Sequence, residues 1–245
     1  MSEPAQTETT AEAHFTRLGA GYDDEAFAGA GLRWVSEREL DAVRAAFADL
    51  PEGARVLDAG AGNGRVTRVL DAELGLSVTA LDAVPEMLTT IERWNPGTRT
   101  VLARLGEPLP FETASFDAVV SLRVLKWVPA WEHALTELAR VVRPGGRVVV
   151  EITNRNSLAR LGYRHAPVTP VARRSVREVG ARAGICWTSE AAGTHLPFAL
   201  WRAASGPSAL RAVAAVQRGA DRALGPVGAR SIVLVGERRP STLEP

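Results

Sequence analysis

Four residues at alternate positions, Asp58, Gly60, Gly62 and Gly64, form the stretch most suited to chemistry in this chain of 245 residues. They close a short apolar run, Val56-Leu57, and precede Val66, Val69 and Leu70, which recur at helical spacing. An acid followed by glycines between a strand and a helix is the local grammar of a nucleotide site. Glycine lets backbone approach a ligand closely, and the first turn of a helix offers free N–H groups. The dinucleotide pattern G-x-G-x-x-G, read from Gly60, requires glycine at 65, where Arg65 stands.

The surrounding pattern supplies elements to hold such a turn. Apolar residues at helical spacing, with Ser36 and Glu39 spaced as a capping box, predict a helix over 36–50. Strands are expected at 54–58, 76–81, 98–103, 116–122, 147–152, 185–189 and 231–235. Helices are expected after the glycine turn to about 73, from Pro85 to about Trp94, from Pro129 to Val142, from Ser175 to Ala183 and from Pro207 to Leu224. This alternation predicts an α/β fold: a doubly wound, Rossmann-like, seven-stranded sheet, mostly parallel with an antiparallel last strand. Ligands of such sheets bind beyond the carboxyl ends of the strands. One domain over 1–245 is expected, with a leader or lid over 1–35, a binding core over 36–152 and a substrate-side half over 153–245. The connection between the last two strands is about 40 residues long, and its 191–229 insertion is suited to walling a pocket or forming a homodimer surface.

Composition excludes several classes. The net charge of +1 argues against a polyanionic partner, so no nucleic acid is expected. The single cysteine, Cys186, rules out an internal disulfide and a cysteine-based zinc cluster, and it is expected in the core. No metal site is expected. No apolar run is long enough to span a membrane, and the polar, acidic start has no signal-peptide pattern, so a cytoplasmic location is expected. Arginine supplies all the basic charge except Lys126. That bias, with abundant alanine and glycine, reads as a GC-rich bacterial genome.

The stretch Asp58-x-Gly60-x-Gly62-x-Gly64 resembles the first motif of the class I S-adenosyl-L-methionine-dependent methyltransferases, and the small-molecule members of the methyltransferase type 11 group in particular. Four further stretches resemble that family in order. They are Ala80 to Leu88, Leu109-Pro110-Phe111 followed by Ser115-Phe116-Asp117, Ser121 to Val128, and Leu138 to Gly146. The resemblance covers about 36–152. It implies S-adenosyl-L-methionine as cofactor, with Asp58, Ala59, Gly60, Gly62 and Gly64 forming the loop and Asp82, beside Ala83 and Met87, taking the ribose hydroxyls. The family's adenine-reading acid aligns with Leu105, which leaves backbone near Gly106 or the displaced Glu107 for that task. Ser121, Leu122 and Trp127 follow strand four. Tyr22 matches an aromatic over the methionine end, and Arg33 is placed to meet its carboxylate. Tyr22 or Trp127 would face the cationic sulfonium.

The resemblance implies methyl transfer to an O, N or C atom of a small molecule such as a secondary metabolite, sugar or lipid-like compound. A methyltransferase-fold enzyme that performs another step, such as cyclisation, is the alternative, and a non-catalytic partner subunit is a third reading. The family shares no catalytic residue. Candidates for a base are His14, His165, His195 and Lys126. Asn154, Tyr163, His195 and Trp201 are the candidates for substrate contact. Cytosine-C5 chemistry lacks its cysteine after strand four, and adenine-N6 chemistry lacks its Asn/Asp-Pro-Pro-Tyr tetrad there.

Overall fold

A computed structural model of the chain describes residues 10–157 and 168–240, the side chains of 10, 11, 20, 23 and 24 excepted. Strand β1 (Arg55–Ala59) is central and pairs in parallel with β2 (Ser77–Asp82) on one side and β4 (Phe116–Ser121) on the other. Beyond β2 lies β3 (Arg99–Leu102), and beyond β4 lies β5 (Val142–Thr153), both parallel. Strand β7 (Ser231–Arg238) runs antiparallel between β5 and β6 (Ile185–Ala192). The order is β3-β2-β1-β4-β5-β7-β6. The seven-stranded, mostly parallel sheet with an antiparallel final strand agrees with the expectation from the alternation of elements.

Both faces of the sheet are covered, which is why its inner strands read as apolar runs. Leu57, Val119, Val148 and Val150 pack on one face against Leu135 and Leu138 of α6 (Trp131–Val141) and Val176 of α7 (Arg173–Arg182). Val56, Val78, Ala118 and Val120 pack on the other against Val43 and Phe47 of α3 (Gly29–Phe47) and Val66 of α4 (Arg65–Arg68). Successive residues of one strand serve opposite faces, as the pleat requires. Connections leave β1 and β4 in opposite directions along the sheet, so a crevice opens between their carboxyl ends.

Several local expectations differ from the structure. Helix α3 begins at Gly29, not near 36, so Ser36 and Glu39 lie inside it and cap nothing. Both are buried because they accept from Arg65, Ser36 through its Oγ at 2.9 Å and Glu39 through Oε2 at 2.9 Å. Strand β5 starts at Val142, and its pairing with β4 shifts register across Pro144-Gly145-Gly146. Within the 191–229 insertion a short helix not expected from sequence, α8 (Phe198–Ala203), precedes the expected one, α9 (Pro207–Leu224). The leader forms α1 (Thr10–Leu18) and α2 (Tyr22–Ala26). Cys186 is exposed on the edge strand β6, not in the core. Among the described residues no helix is long and apolar enough to cross a membrane.

Candidate functional site

The turn after β1 is built from backbone. The N–H groups of Gly60 and Ala61 both donate to the Leu81 carbonyl, at 2.7 and 2.9 Å, and Gly64 N–H donates to Ala61 at 3.1 Å. All three glycines have positive φ, but for different surroundings. A Cβ on Gly60 would lie 2.3 Å from Val124 Cγ2, and one on Gly64 would lie 2.9 Å from Ile91 and 3.0 Å from Trp94, both on α5 (Pro85–Trp94). A Cβ on Gly62 would meet nothing within 4 Å, and Gly62 lines the pocket. Gly64 therefore serves internal packing, Gly60 packs on Val124 while its backbone lines the pocket, and Gly62 leaves open the space a ligand needs.

Asp82 ties the turn to β2. One carboxylate oxygen accepts from Gly62 N–H at 2.8 Å and the other from Val84 N–H at 3.0 Å. Burial pushes its acid upward, opposed by the N–H groups of Gly62, Val84 and Ala83. Each oxygen keeps a lone pair for a further donor, such as a ribose hydroxyl.

Asp58 does not reach the pocket. It is fully buried, accepts from Thr67 Oγ1 at 2.7 Å, and so anchors the start of α4 beneath the turn. Burial is the main cause pushing its acid up to about 7; the Thr67 hydrogen bond opposes the shift and the Asp82 charge adds to it. Ala59 and Ser121 are likewise internal, joined by a Ser121 Oγ donation to the Ala59 carbonyl at 2.8 Å. Gly64 sits under the helix as its N-cap residue. The expected ligand loop is thus narrower than its motif: Asp58, Ala59, Gly64 and Ser121 hold the turn and lie outside the pocket wall.

The pocket has a volume of about 340 Å³, within the usual range for a small-molecule site. Of the expected residues it gathers Tyr22, Gly60, Gly62, Asp82, Ala83, Met87, Leu105, Gly106, Glu107, Leu122 and Trp127. The leader closes over it. Phe15 meets both Tyr22 and Trp127 edge-on, each with ring centroids 5.3 Å apart. Glu12 and Arg104, both in the wall, pair at 2.6 Å between α1 and the segment after β3.

Other expected contacts lie elsewhere. Arg33 is exposed on α3, outside the wall, and the guanidiniums that line the pocket are those of Arg65, Arg104 and Arg123. Asn154 is buried because its amide donates to the carbonyls of Val227 and Ala229, at 3.0 and 2.9 Å, which leaves it a structural clamp. His195 is buried against Gln217, its Nε2 2.9 Å from the Gly225 carbonyl. Trp201 is fully buried and stacks on Trp34 at 4.6 Å. His14 is exposed, 6.4 Å from the Trp127 ring at the pocket's edge. Tyr163 and His165 lie outside the described residues.

A buried charged cluster adjoins the pocket, and sequence reading did not assemble it. Glu39 is bonded by both Arg65, at 2.9 Å, and Arg123, at 3.1 Å. Burial alone would raise the Glu39 acid, but Arg123 and Arg65 hold it below the ordinary carboxylate range. Lys126, half-buried beyond Arg123, has its amine pushed down to about 7 by burial and by the Arg123 charge, against the opposing pull of Glu151 and Glu39. Glu151 is pushed up by burial and by Glu39. Missed too were Glu12, Phe15 and Phe27, which reach the pocket from the leader and the loop before α3. The one sequence signal for them was the aromatic richness of the leader.

A family model described as a methyltransferase domain matches residues 57–150. A malonyl-acyl-carrier-protein O-methyltransferase of Erwinia billingiae is 34% identical over 195 residues, covering 76% of this chain and 68% of that protein. An uncharacterized methyltransferase of Mycobacterium tuberculosis is 43% identical over 116 residues, or 46% of this chain. The match spans 45%, less than half, of that relative's own length. Among solved structures, the cyclase SpnF superposes with a TM-score of 0.68 at 16% identity, covering 98% of this chain and 99% of that one. At that identity the likeness is one of fold.

Proposed function

Because this chain belongs to the class I S-adenosylmethionine-dependent methyltransferases, we propose that it transfers a methyl group to an O, N or C atom of a small molecule. The observation that carries the reading is the joined loop and acid: Gly62 open to the pocket and hydrogen-bonded to Asp82. Asp82 is suited to two ribose hydroxyls, and the Leu105, Gly106 and Glu107 segment to the adenine. The backbone of Gly60 to Gly62 is suited to the amino-acid end. Tyr22 and Trp127 offer aromatic faces to a sulfonium cation. The cofactor, when bound, supplies an electrophilic methyl group on that sulfonium.

The chain's own task is to orient the acceptor and exclude water. Phe15, Tyr22 and Phe27 roof the pocket from the leader and the loop after it, which favours a compact acceptor over a polymer. The four histidines, where described, stay out of the pocket wall. An acceptor that is already a nucleophile at neutral pH suits such a wall, since a base is needed only for a protonated one. The Erwinia relative, an O-methyltransferase by name, is consistent with an oxygen acceptor.

The test is transfer of labelled methyl from S-adenosylmethionine in a small-molecule extract. Label should enter the small-molecule fraction with the wild-type protein and not with Gly62→Arg. Bound but untransferred cofactor would favour a non-methylating reaction instead.

A further inference from the structure

Arg123 stands in a conformation that bulky residues seldom adopt. Its φ is +65°, in the left-handed region, two residues beyond the end of β4. Such residues persist where their surroundings hold them, and they gather at ligand sites. Here the holders are visible. Glu39 accepts from Nη1 at 3.1 Å, and the guanidinium lies 5.0 Å from the Phe27 ring centroid and 5.7 Å from that of Phe198.

That leaves one edge of the guanidinium unused. Nε is buried without a hydrogen-bond partner. Nη2 makes no hydrogen bond among the described residues. Nε and Nη2 form the side-on edge of the planar fork, the edge that matches two oxygens of one carboxylate. Buried polar groups are nearly always satisfied; Nε is covered by its neighbours, so a ligand oxygen meets this edge first through Nη2.

The local charge points the same way. Arg65 and Arg123, each with its side chain 14% exposed, share the single carboxylate of Glu39. Lys126 adjoins them, and the other acid in the cluster, Glu151, is shifted toward its neutral form by burial and by Glu39. A buried excess of positive charge calls for a counter-charge. The aromatic walls suit an organic body behind that charge better than a hydrated inorganic ion.

We propose that Arg123 anchors a carboxylate of the methyl acceptor, so that the enzyme's substrate is a small carboxylate-bearing molecule. The assignment rests on the methyl-transfer reading and sharpens it. Arg123 is remote from the Leu105 to Glu107 end of the pocket. Three strand spacings, from β3 through β2 and β1 to β4, separate the two, about 14 Å along the sheet edge. That distance sets Arg123 apart from the adenine end only: its neighbour Val124 packs on Gly60 at the turn, so the cofactor's own carboxylate is the rival partner that the S-adenosylhomocysteine control tests. The Arg123 guanidinium also lies near the rings of Phe27 and Phe198, the latter on α8, outside the glycine turn.

The experiment compares benzoate with benzamide, an uncharged analogue of nearly the same shape, by calorimetric titration into protein saturated with S-adenosylhomocysteine. Phenyl phosphate is the third probe. Benzoate should bind at least about tenfold more tightly than benzamide, and Arg123→Gln should erase the difference while S-adenosylhomocysteine affinity stays within about twofold. Glu39 keeps Arg65 as its partner in that variant, and the wild-type comparison needs no variant at all. Equal binding of benzoate and benzamide, or binding of neither, overturns the proposal. So does tighter binding of phenyl phosphate, which makes the anchor a phosphate site. A loss of S-adenosylhomocysteine affinity in Arg123→Gln as large as the loss of benzoate also overturns it, because Arg123 would then serve the cofactor. Wild-type protein that fails to bind S-adenosylhomocysteine in the first titration removes the methyl-transfer reading itself.

Discussion

The Gly62 N–H donates to the Asp82 carboxylate across 2.8 Å, joining the turn after β1 to the acid that ends β2. Two motifs 20 positions apart in the chain are thereby one piece of geometry. The turn cannot shift without moving the acid, and the acid's remaining lone pairs are aimed by the turn. Changes at either residue should therefore be read in the affinity for S-adenosylhomocysteine.

The glycines of the turn should separate by mechanism. Gly62→Arg places a side chain into open pocket space, and its left-handed φ of +56° adds only about 1–2 kcal/mol of strain. The variant should fold and lose S-adenosylhomocysteine binding by about a hundredfold or more. Gly60→Ala drives a Cβ to 2.3 Å from Val124 and should lower stability by about 1–3 kcal/mol. Thermal melts beside calorimetric titrations read the two effects. Unchanged affinity in folded Gly62→Arg would refute the loop assignment.

Asp82→Asn keeps the shape but loses half of the accepting capacity, and its amide turns N–H toward N–H. Because both carboxylate oxygens already hold backbone donors, S-adenosylhomocysteine affinity should fall about tenfold to a hundredfold. A variant that bound as well as the wild type would separate Asp82 from the ligand.

Asp58 should leave a signature in the pH dependence of stability. Burial lifts its acid from 3.8 to about 7 in the folded state. Between those values the folded chain binds the extra proton, so this group's contribution is full below about pH 4 and is lost as pH rises through about 7. The unfolding free energy of the wild type minus that of Asp58→Asn should fall by a few kcal/mol, in order of magnitude, across that window. Chemical denaturation at several pH values measures it. A flat difference would mean that Asp58 ionises normally.

The Glu12–Arg104 pair should act as a latch on the leader. It is partly buried, and it joins α1 to the far side of the pocket. Glu12→Gln should speed amide exchange in Thr10–Leu18 while leaving β1 unchanged, and should quicken S-adenosylhomocysteine release by about a few-fold. Identical exchange in both proteins would show that α1 is held by its aromatic contacts alone.

The sheet was legible because each inner strand is a short apolar run, and because Asp58 and Asp82 each mark the end of one. The glycine-turn wall of the pocket was legible for the same reason: Gly60, Gly62, Asp82 and Leu122 lie at those ends. The charged side was not. Ser-x-x-Glu reads alike whether it caps a helix or faces a core, and what decides between them is Arg65, 26 positions from Glu39. Asn154 and His195 looked available because their partners are backbone carbonyls and a glutamine that no local pattern reveals. Arg123 carries no signature in sequence, since its role depends on a backbone angle and on two aromatic rings from distant segments.

Titration of the purified protein with S-adenosylmethionine and, separately, with a nicotinamide dinucleotide decides which nucleotide the turn after β1 accepts. The structure predicts saturable binding of S-adenosylmethionine and none of the dinucleotide, because Arg65 stands where the dinucleotide turn requires glycine. Binding of the dinucleotide alone would contradict the account.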